Sequence, residues 1–130
     1  MIIDTSFIID LMRGNLPAKT KLVLLESLST PLIIPTPTIF ELCAGAEQSS
    51  DPSKELIKIN SVLAGQTICV LDLESAQLGG KIHGLLKRKG QSIDLGDSLI
   101  AGIALTHHEP VLTRNVKDFS RVPGLRVETY

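Results

Sequence analysis

The chain begins Met1-Ile2-Ile3-Asp4-Thr5-Ser6, a short apolar run that ends in an acid followed by two hydroxyl residues. Similar apolar, β-branched runs recur at residues 32–35, 67–71 and 111–113, and longer stretches with helical spacing lie between them. This alternation is typical of β-α-β units, which build a parallel sheet. Residues 126–129 would add a weaker edge strand. The sequence therefore predicts an α/β fold with three α/β/α layers and a central parallel sheet of four or five strands.

Three helix boundaries can be read from residues that cap helices. Thr36 and Pro37 provide a capping oxygen and a first-turn proline for a helix that runs to about residue 47. A second helix is predicted over residues 74–89, and Gly90 can take the left-handed conformation that ends it. Asp94 is predicted to cap a third helix that reaches about residue 107. Residues 45–53 are predicted to be a loop between two elements.

The composition limits the domain count and the classes of function. With 130 residues and 43% apolar residues, residues 1–130 are expected to form a single domain. The net charge of −1 argues against a strongly basic nucleic-acid wrapper and against a polybasic membrane binder. Cys43 and Cys69 form no Cys-x-x-Cys pair, so no zinc or redox motif is present, and both are expected to be buried, reduced thiols. The N-terminus has no basic leader and no long apolar run, so we expect a cytoplasmic protein without membrane contact.

Four acidic residues are candidates for one site. Ligands of open parallel sheets bind at the carboxyl ends of the strands, and there we expect Asp4, after the first strand, and Asp118, after the fourth. Glu41 lies about one turn into the helix after the second strand and can lean toward the same edge. Asp97 departs from this rule, because a helix that enters a strand normally starts at the opposite edge. The long preceding helix and the loop at residues 90–93 would have to carry the chain back across.

Four motifs together resemble the PIN-domain nucleases, particularly the VapC-type toxins. They are spread over nearly the whole chain in the order and at the spacing typical of that family, and Gly102 departs from its pattern, in which alanine is common. The motifs are Asp4-Thr5-Ser6, Glu41, Asp94-x-x-Asp97-Ser98-Leu99-Ile100-Ala101-Gly102-Ile103-Ala104 and Thr113-Arg114-Asn115-x-x-Asp118-Phe119.

The resemblance implies an endoribonuclease that depends on Mg²⁺ or Mn²⁺. Four acids in one cleft would repel one another unless a cation lay among them, and hard divalent ions prefer oxygen ligands. Asp4, Asp97 and Asp118 would be the metal ligands, and Glu41 would hold or deprotonate the attacking water. The supporting residues that would orient these groups are Ser6, Asp94, Thr113 and Asn115.

The substrate and partners are expected from the same resemblance. Arg13, Arg114 and Lys117 would attract the phosphates of an RNA substrate, and the run at residues 87–89 would add to them. Toxins of this class usually form homodimers and are held inactive by an antitoxin protein. An apolar surface in the early helices would serve such contacts, formed by Leu11, Leu16, Leu22 and Leu25.

Each residue also has a structural interpretation. Asp4 and Asp118 can cap helices or turns, Glu41 can be a solvated helix residue, and Asp94 with Asp97 resembles a capping box. The cations at residues 87–89 favour a helix C-terminus whether or not RNA is bound.

Two other functions also remain open. One is a catalytically silent PIN fold that binds RNA or protein. The other is a phosphoryl-transfer domain, although Ser6 stands where an aspartate-nucleophile phosphatase has its second acid.

Overall fold

A computed structural model describes all residues from 1 to 130, and its centre is one sheet of five parallel strands. The strands are β1 (Ile2–Ile3), β2 (Ile33–Pro35), β3 (Thr67–Cys69), β4 (Val111–Leu112) and β5 (Val127–Glu128). Their order in the sheet is β3-β2-β1-β4-β5, and every neighbouring pair is parallel. The predicted α/β fold is confirmed, including the fifth edge strand. Because the strand order reverses beside β1, the carboxyl ends of β1 and β4 border the crevice that such sheets use for ligands.

Seven helices connect and cover the strands. They are α1 (Thr5–Met12), α2 (Leu16–Ser27), α3 (Thr36–Glu47), α4 (Pro52–Leu63), α5 (Leu73–Arg88), α6 (Leu95–Thr106) and α7 (Val116–Phe119). The loop predicted at residues 45–53 is shorter than expected, since α3 reaches residue 47 and α4 begins at residue 52. None of the helices combines the length and the hydrophobicity that a membrane crossing requires.

One predicted cap is wrong and a second is right in position but lacks its hydrogen bond, although both helices begin close to where they were expected. Thr36 lies inside α3 behind Pro35, and its Oγ1 instead accepts a hydrogen bond of 3.0 Å from the backbone N–H of Leu71. Asp94 has the extended backbone of an N-cap, but its side chain accepts no amide of α6. The expected stop after α5 is confirmed, because Gly90 has a φ of +67°.

Alternating strand residues build two hydrophobic cores, one on each face of the sheet. Ile3, Ile34 and Leu112 pack with α1 to α4, whereas Ile2 and Val111 face the opposite side and pack with α5 to α7. This is the two-residue period of a strand, in which successive side chains point to opposite faces. The sheet is therefore covered on both faces, as three α/β/α layers require.

The expected apolar surface of the early helices is only partly present. Leu25 is buried, with 3% of its surface exposed, and Leu11 and Leu22 pack against the same core. They face the sheet because they lie on the inner sides of α1 and α2. Leu16 is the one predicted member that is largely exposed, at 73%. The outer side of α2 adds other exposed apolar residues, namely Val23, Leu24 and Leu28. The prediction for the two thiols is also wrong for Cys43, which is exposed on α3.

Helices α5 and α6 pack closely enough for two glycines to be required at their contact. A Cβ atom on Gly102 would meet the carbonyl oxygen of Ser75 and would lie 2.8 Å from the backbone nitrogen of Gly79. A Cβ on Gly79 would lie 2.8 Å from the carbonyl oxygen of Ser98. Both neighbours are backbone atoms that a side chain cannot push aside cheaply. Close packing of α5 and α6 thus explains why Gly102 stands where alanine is common in the family that the sequence resembles.

The contact predicts opposite effects for two alanine substitutions. Gly102→Ala should lower the free energy of unfolding by roughly 1–3 kcal/mol, the usual cost of overpacking a core. Gly80→Ala on α5 is the matched control, since a Cβ there meets nothing within 4 Å. That control should gain up to about 1 kcal/mol from helix propensity. Urea unfolding of both variants measures the difference, and equal stabilities would contradict the close contact.

Candidate active site

The four predicted acids come from four different helices and face one another at the carboxyl end of β1. Asp4 follows β1 as the N-cap of α1, and Glu41 lies on α3. Asp97 is in the first turn of α6, and Asp118 is in the first turn of α7. Asp4 and Asp97 are buried, with 3% and 8% of their surfaces exposed. The chain therefore does return to this edge before β4, as the assignment of Asp97 required.

Asp4 is held by two hydroxyl groups that were predicted to support it. Ser6 Oγ and Thr113 Oγ1 each donate to Asp4 Oδ2 over 2.6 Å. The backbone N–H of Arg114 donates to Ser6 Oγ at 3.1 Å, and that of Asn115 donates to Thr113 Oγ1 at 2.8 Å. These bonds tie the segment after β4 to the start of α1. The orientation of the Asp4 carboxylate is consequently set by both strand ends.

Asn115 joins the other two aspartates of the cluster. Its Nδ2 donates to Asp97 Oδ2 at 2.9 Å and to Asp118 Oδ2 at 3.0 Å. The second oxygen of Asp118 forms an ion pair of 3.1 Å with Arg121. One amide group therefore spaces two carboxylates that would otherwise repel each other directly. Asp94, the remaining predicted supporting residue, is exposed and accepts no such bond.

The electrostatics of the site favour the protonated form of two acids. Burial, followed by the charges of Asp4, Glu41, Asp94 and Asp118, raises the pKa of Asp97 to about 7. The pKa of Glu41 is raised chiefly by burial and further by Asp4 and Asp94, although a hydrogen bond donated by Thr5 opposes the shift. A cluster of buried carboxylates without a counter-charge behaves in this way.

The donor set matches a hard divalent cation in its chemistry. The cluster offers only oxygen atoms, carries excess negative charge and lies at a crevice, which are the features that Mg²⁺ and Mn²⁺ sites share. The structure does not gather three of its His, Cys, Asp or Glu side chains into a preformed ligand group. The carboxylates are instead held by hydroxyl, amide and guanidinium donors, so a cation would have to draw them together.

The three predicted phosphate-binding cations lie in different surroundings. Arg114 donates from Nη1 to both oxygens of Asp10, at 2.9 and 2.7 Å, so its charge is already paired. Arg13 and Lys117 are exposed and form no ion pair. The cationic run at residues 87–89 lies at the C-terminal end of α5, as its structural interpretation requires.

Sequence reasoning missed four residues that shape this site. Asp10 is 3% exposed and accepts hydrogen bonds from Arg114 and from the hydroxyl of Tyr130, at 2.9 Å for the latter. Thr5 donates to Glu41, and Gly96 leaves the space that the Glu41 carboxylate occupies, since a Cβ there would lie 2.9 Å from Glu41 Cδ. A glycine in the first turn of a helix was an available signal, because glycine is a poor helix former.

Comparison with known proteins identifies the family of the chain and agrees with its fold. Residues 1–125 match the PIN domain family. A ribonuclease VapC from Rickettsia bellii is 33% identical over 132 aligned positions, covering 99% of this chain and 95% of that protein. A tRNA(fMet)-specific endonuclease VapC from Salmonella typhimurium is 33% identical over 93 residues, covering 72% and 70%. The DNA-bound VapBC complex from Salmonella typhimurium contains a chain with a TM-score of 0.86 and 29% identity, and the match covers 98% of this chain and 96% of that one.

The chain therefore belongs to the PIN domain family, among the VapC ribonucleases. Nucleases of this family depend in general on divalent metal ions. The resemblance and the three-layer fold that the sequence predicted are both confirmed.

The raised pKa of Asp97 predicts how the stability of the metal-free protein depends on pH. In the unfolded chain this carboxyl ionises near pH 4, whereas in the folded protein it ionises at about 7. Between these values the unfolded state loses its proton first, so the contribution of Asp97 to stability falls as the pH rises from about 4 to about 7. Asp97→Asn should remove this loss and be more stable than wild type at pH 8 by on the order of 4 kcal/mol.

Urea unfolding in EDTA at pH 4.5 and pH 8 measures the effect, and the two proteins should differ little at the lower pH. Asp94→Asn is the control on the same helical turn, and it should change the stability at pH 8 less than Asp97→Asn does, because the Asp94 charge contributes less to the raised pKa of Asp97 than burial, Asp4 and Glu41 do. An Asp97→Asn variant that is no more stable than wild type at pH 8 would contradict the proposed repulsion.

Proposed function

We propose that the chain is a Mg²⁺- or Mn²⁺-dependent endoribonuclease and the toxin of a toxin–antitoxin pair, built as one nuclease domain over residues 1–130 and active in the cytoplasm. The observation that carries the proposal is the convergence of Asp4, Glu41, Asp97 and Asp118 at one crevice, with the pKa of Asp97 raised to about 7 by burial and by its acidic neighbours. Keeping such a group buried destabilises the metal-free protein. The arrangement is therefore best explained by a cation and a reaction that need it.

The roles of the four acids follow from their surroundings. Asp4, Asp97 and Asp118 would hold the ion, which, when bound, stabilises the charge that develops on the attacking and leaving oxygens of a phosphodiester. Ser6 and Thr113 fix the orientation of Asp4, and Asn115 fixes that of Asp97 and Asp118. This support comes from hydroxyl and amide donors on both sides of β1, so the carboxylates are oriented before the ion draws them together.

Glu41 is the best candidate for the group that accepts a proton from the attacking water. Its pKa is raised, and a carboxylate whose pKa lies closer to neutrality is a better general base at physiological pH. Thr5 donates to one oxygen of the Glu41 carboxylate and thereby orients it toward the cluster. Arg13 and Lys117 are unpaired cations available to the phosphates of the RNA, while Arg114 contributes chiefly through its pair with Asp10.

Activity assays test the nuclease proposal directly. Purified protein should cleave RNA with Mg²⁺ or Mn²⁺, and EDTA should abolish the activity because the charge developed on phosphate then has no counter-ion. Asp4→Asn and Asp97→Asn should each reduce kcat/KM by at least about 100-fold, within the range expected for loss of a main contact to the reacting centre. Asp94→Asn is the matched control and should retain most of the activity. Wild-type protein that cleaves neither single-stranded nor structured RNA with either metal would refute the proposal.

The partners are proposed from the exposed apolar side chains and from the VapBC complexes among similar structures. Phe40 and Leu95 are 74% and 65% exposed beside the site, and α2 carries a second set around Leu24. Exposed apolar groups of this size are unusual on a monomer that acts alone. We expect one set to bind a second copy of the chain and the other an antitoxin.

Light scattering at tens of micromolar should give the mass of a dimer. Leu95→Gln or Leu24→Gln, whichever alters the dimer contact, should shift the mass toward the monomer. A purely monomeric wild type would remove the homodimer from the proposal.

A further inference from the structure

A cavity of about 360 Å³ lies next to the acidic cluster, between α1, α3 and α4. Its walls are mixed: Ile9, Met12, Leu42 and Ile59 provide apolar surface from all three helices, and charged side chains lie among them. Cavities of this size and composition are typical of sites for small organic groups. Glu41 and Arg13 also line it and already have proposed roles, but neither role uses the apolar space between the three helices.

The polar atoms of the cavity are balanced in charge. Lys58 Nζ is paired with Glu55 Oε1 at 2.6 Å, which leaves little net charge on that side. Arg13 carries an unpaired guanidinium, and Glu41 adds a carboxyl group to the lining. A phosphate would be repelled by Glu41 and Glu55. A neutral, flat ring with hydrogen-bond donors and acceptors on its edge would find acceptors and donors among these side chains. The chemistry therefore fits a nucleobase better than an anion.

Glu41 connects the cavity to the reacting centre, because its side chain lines both. Gly45 lies four residues further along α3, which places it on the same face of the helix, and it also lines the cavity. We propose that the cavity receives the base of a substrate nucleotide adjacent to the phosphate that is cleaved. This inference rests on the proposed ribonuclease function and assigns the site a specificity subsite for an unstacked base.

The base would be held by contacts with apolar side chains and by stacking on the planar guanidinium group of an arginine. No aromatic ring lines the cavity, so the stacking partner is the Arg13 guanidinium, with Met12 and Ile9 as apolar contacts. Such contacts recognise a base that has been splayed out of its strand, as sequence-specific RNA binding generally requires. The enzyme would then select cleavage sites in loops or single strands rather than within paired helices.

Gly45 provides a substitution that fills the cavity without touching the acids. A Cβ at Gly45 meets nothing within 4 Å, so Gly45→Leu can extend its side chain into the empty space. Gly80→Leu on α5 is the matched control, because a Cβ there also meets nothing within 4 Å and Gly80 does not line the cavity. Both changes replace a helical glycine by a better helix former, so both variants should be at least as stable as wild type.

Cleavage kinetics on single-stranded oligoribonucleotides test the assignment. Gly45→Leu should lower kcat/KM at least tenfold, and Gly80→Leu should leave it unchanged. A set of substrates with one abasic nucleotide at each of the two positions on either side of the cut locates the base. At one position the abasic change should impair wild type, while Gly45→Leu should lose nothing further, because both changes remove the same contact.

A binding measurement separates this inference from the nuclease proposal. Fluorescence anisotropy of the same oligonucleotides with the Asp97→Asn protein needs no turnover, and adding Gly45→Leu should weaken binding at least tenfold. If wild type cleaves no RNA but this loss of binding occurs, the nuclease proposal fails and the base subsite stands. Two results would overturn the inference and show that the cavity binds no substrate base. One is that Gly45→Leu behaves as Gly80→Leu does in both measurements. The other is that every abasic change that impairs wild type impairs Gly45→Leu equally.

Discussion

Mutual repulsion among buried carboxylates at the end of β1 is the constraint on which the rest of the structure depends. Asp4 and Asp97 are almost fully buried, and Glu41 and Asp118 face them. Hydrogen bonds offset part of this repulsion, because Ser6 and Thr113 donate to Asp4 and Asn115 donates to both Asp97 and Asp118. A fold that tolerates this arrangement gives up stability in order to keep a place for a cation.

That arrangement needs α6 to begin at the correct edge of the sheet, and the packing of α6 against α5 provides this. Gly79 and Gly102 allow the two backbones to approach more closely than any larger residue would permit. Gly96 then lets the first turn of α6 pass beside the Glu41 carboxylate. Glycines at the helix contact and beside the cluster consequently help to determine where Asp97 lies. The same residues explain why the simple rule for strand ends did not by itself predict its position.

Local sequence signals predicted most of the fold but only part of the site. Apolar runs located all five strands and the glycine stop located the end of α5, because these features depend on neighbouring residues. The cap at Thr36 was wrong because a tertiary contact takes its side chain to the backbone of Leu71. Asp94 is the N-cap of α6 as predicted, but its exposed side chain accepts no amide of that helix. Helix α4 was missed because its first residues resemble a loop.

Asp10 shows why the remaining part of the site could not be predicted. On the sequence it is an acid within an amphipathic helix, a place where acids are usually solvated. Its partners Arg114 and Tyr130 are 104 and 120 residues away, so no local spacing signals the pair. Burial, followed by the hydrogen bond to Asp10, raises the pKa of Tyr130 to about 12, and the phenol therefore remains a donor at any physiological pH.

This buried acid connects the stability of the fold to the geometry of the site. Arg114 is held by Asp10 through its side chain and by Ser6 through its backbone N–H, and it lies between Thr113 and Asn115. Those two residues contact three of the four clustered acids. The Asp10–Arg114 pair thus fixes the backbone segment from which the cluster is oriented. An arginine that a sequence motif suggests for phosphate binding therefore serves here first to position the segment that orients the carboxylates.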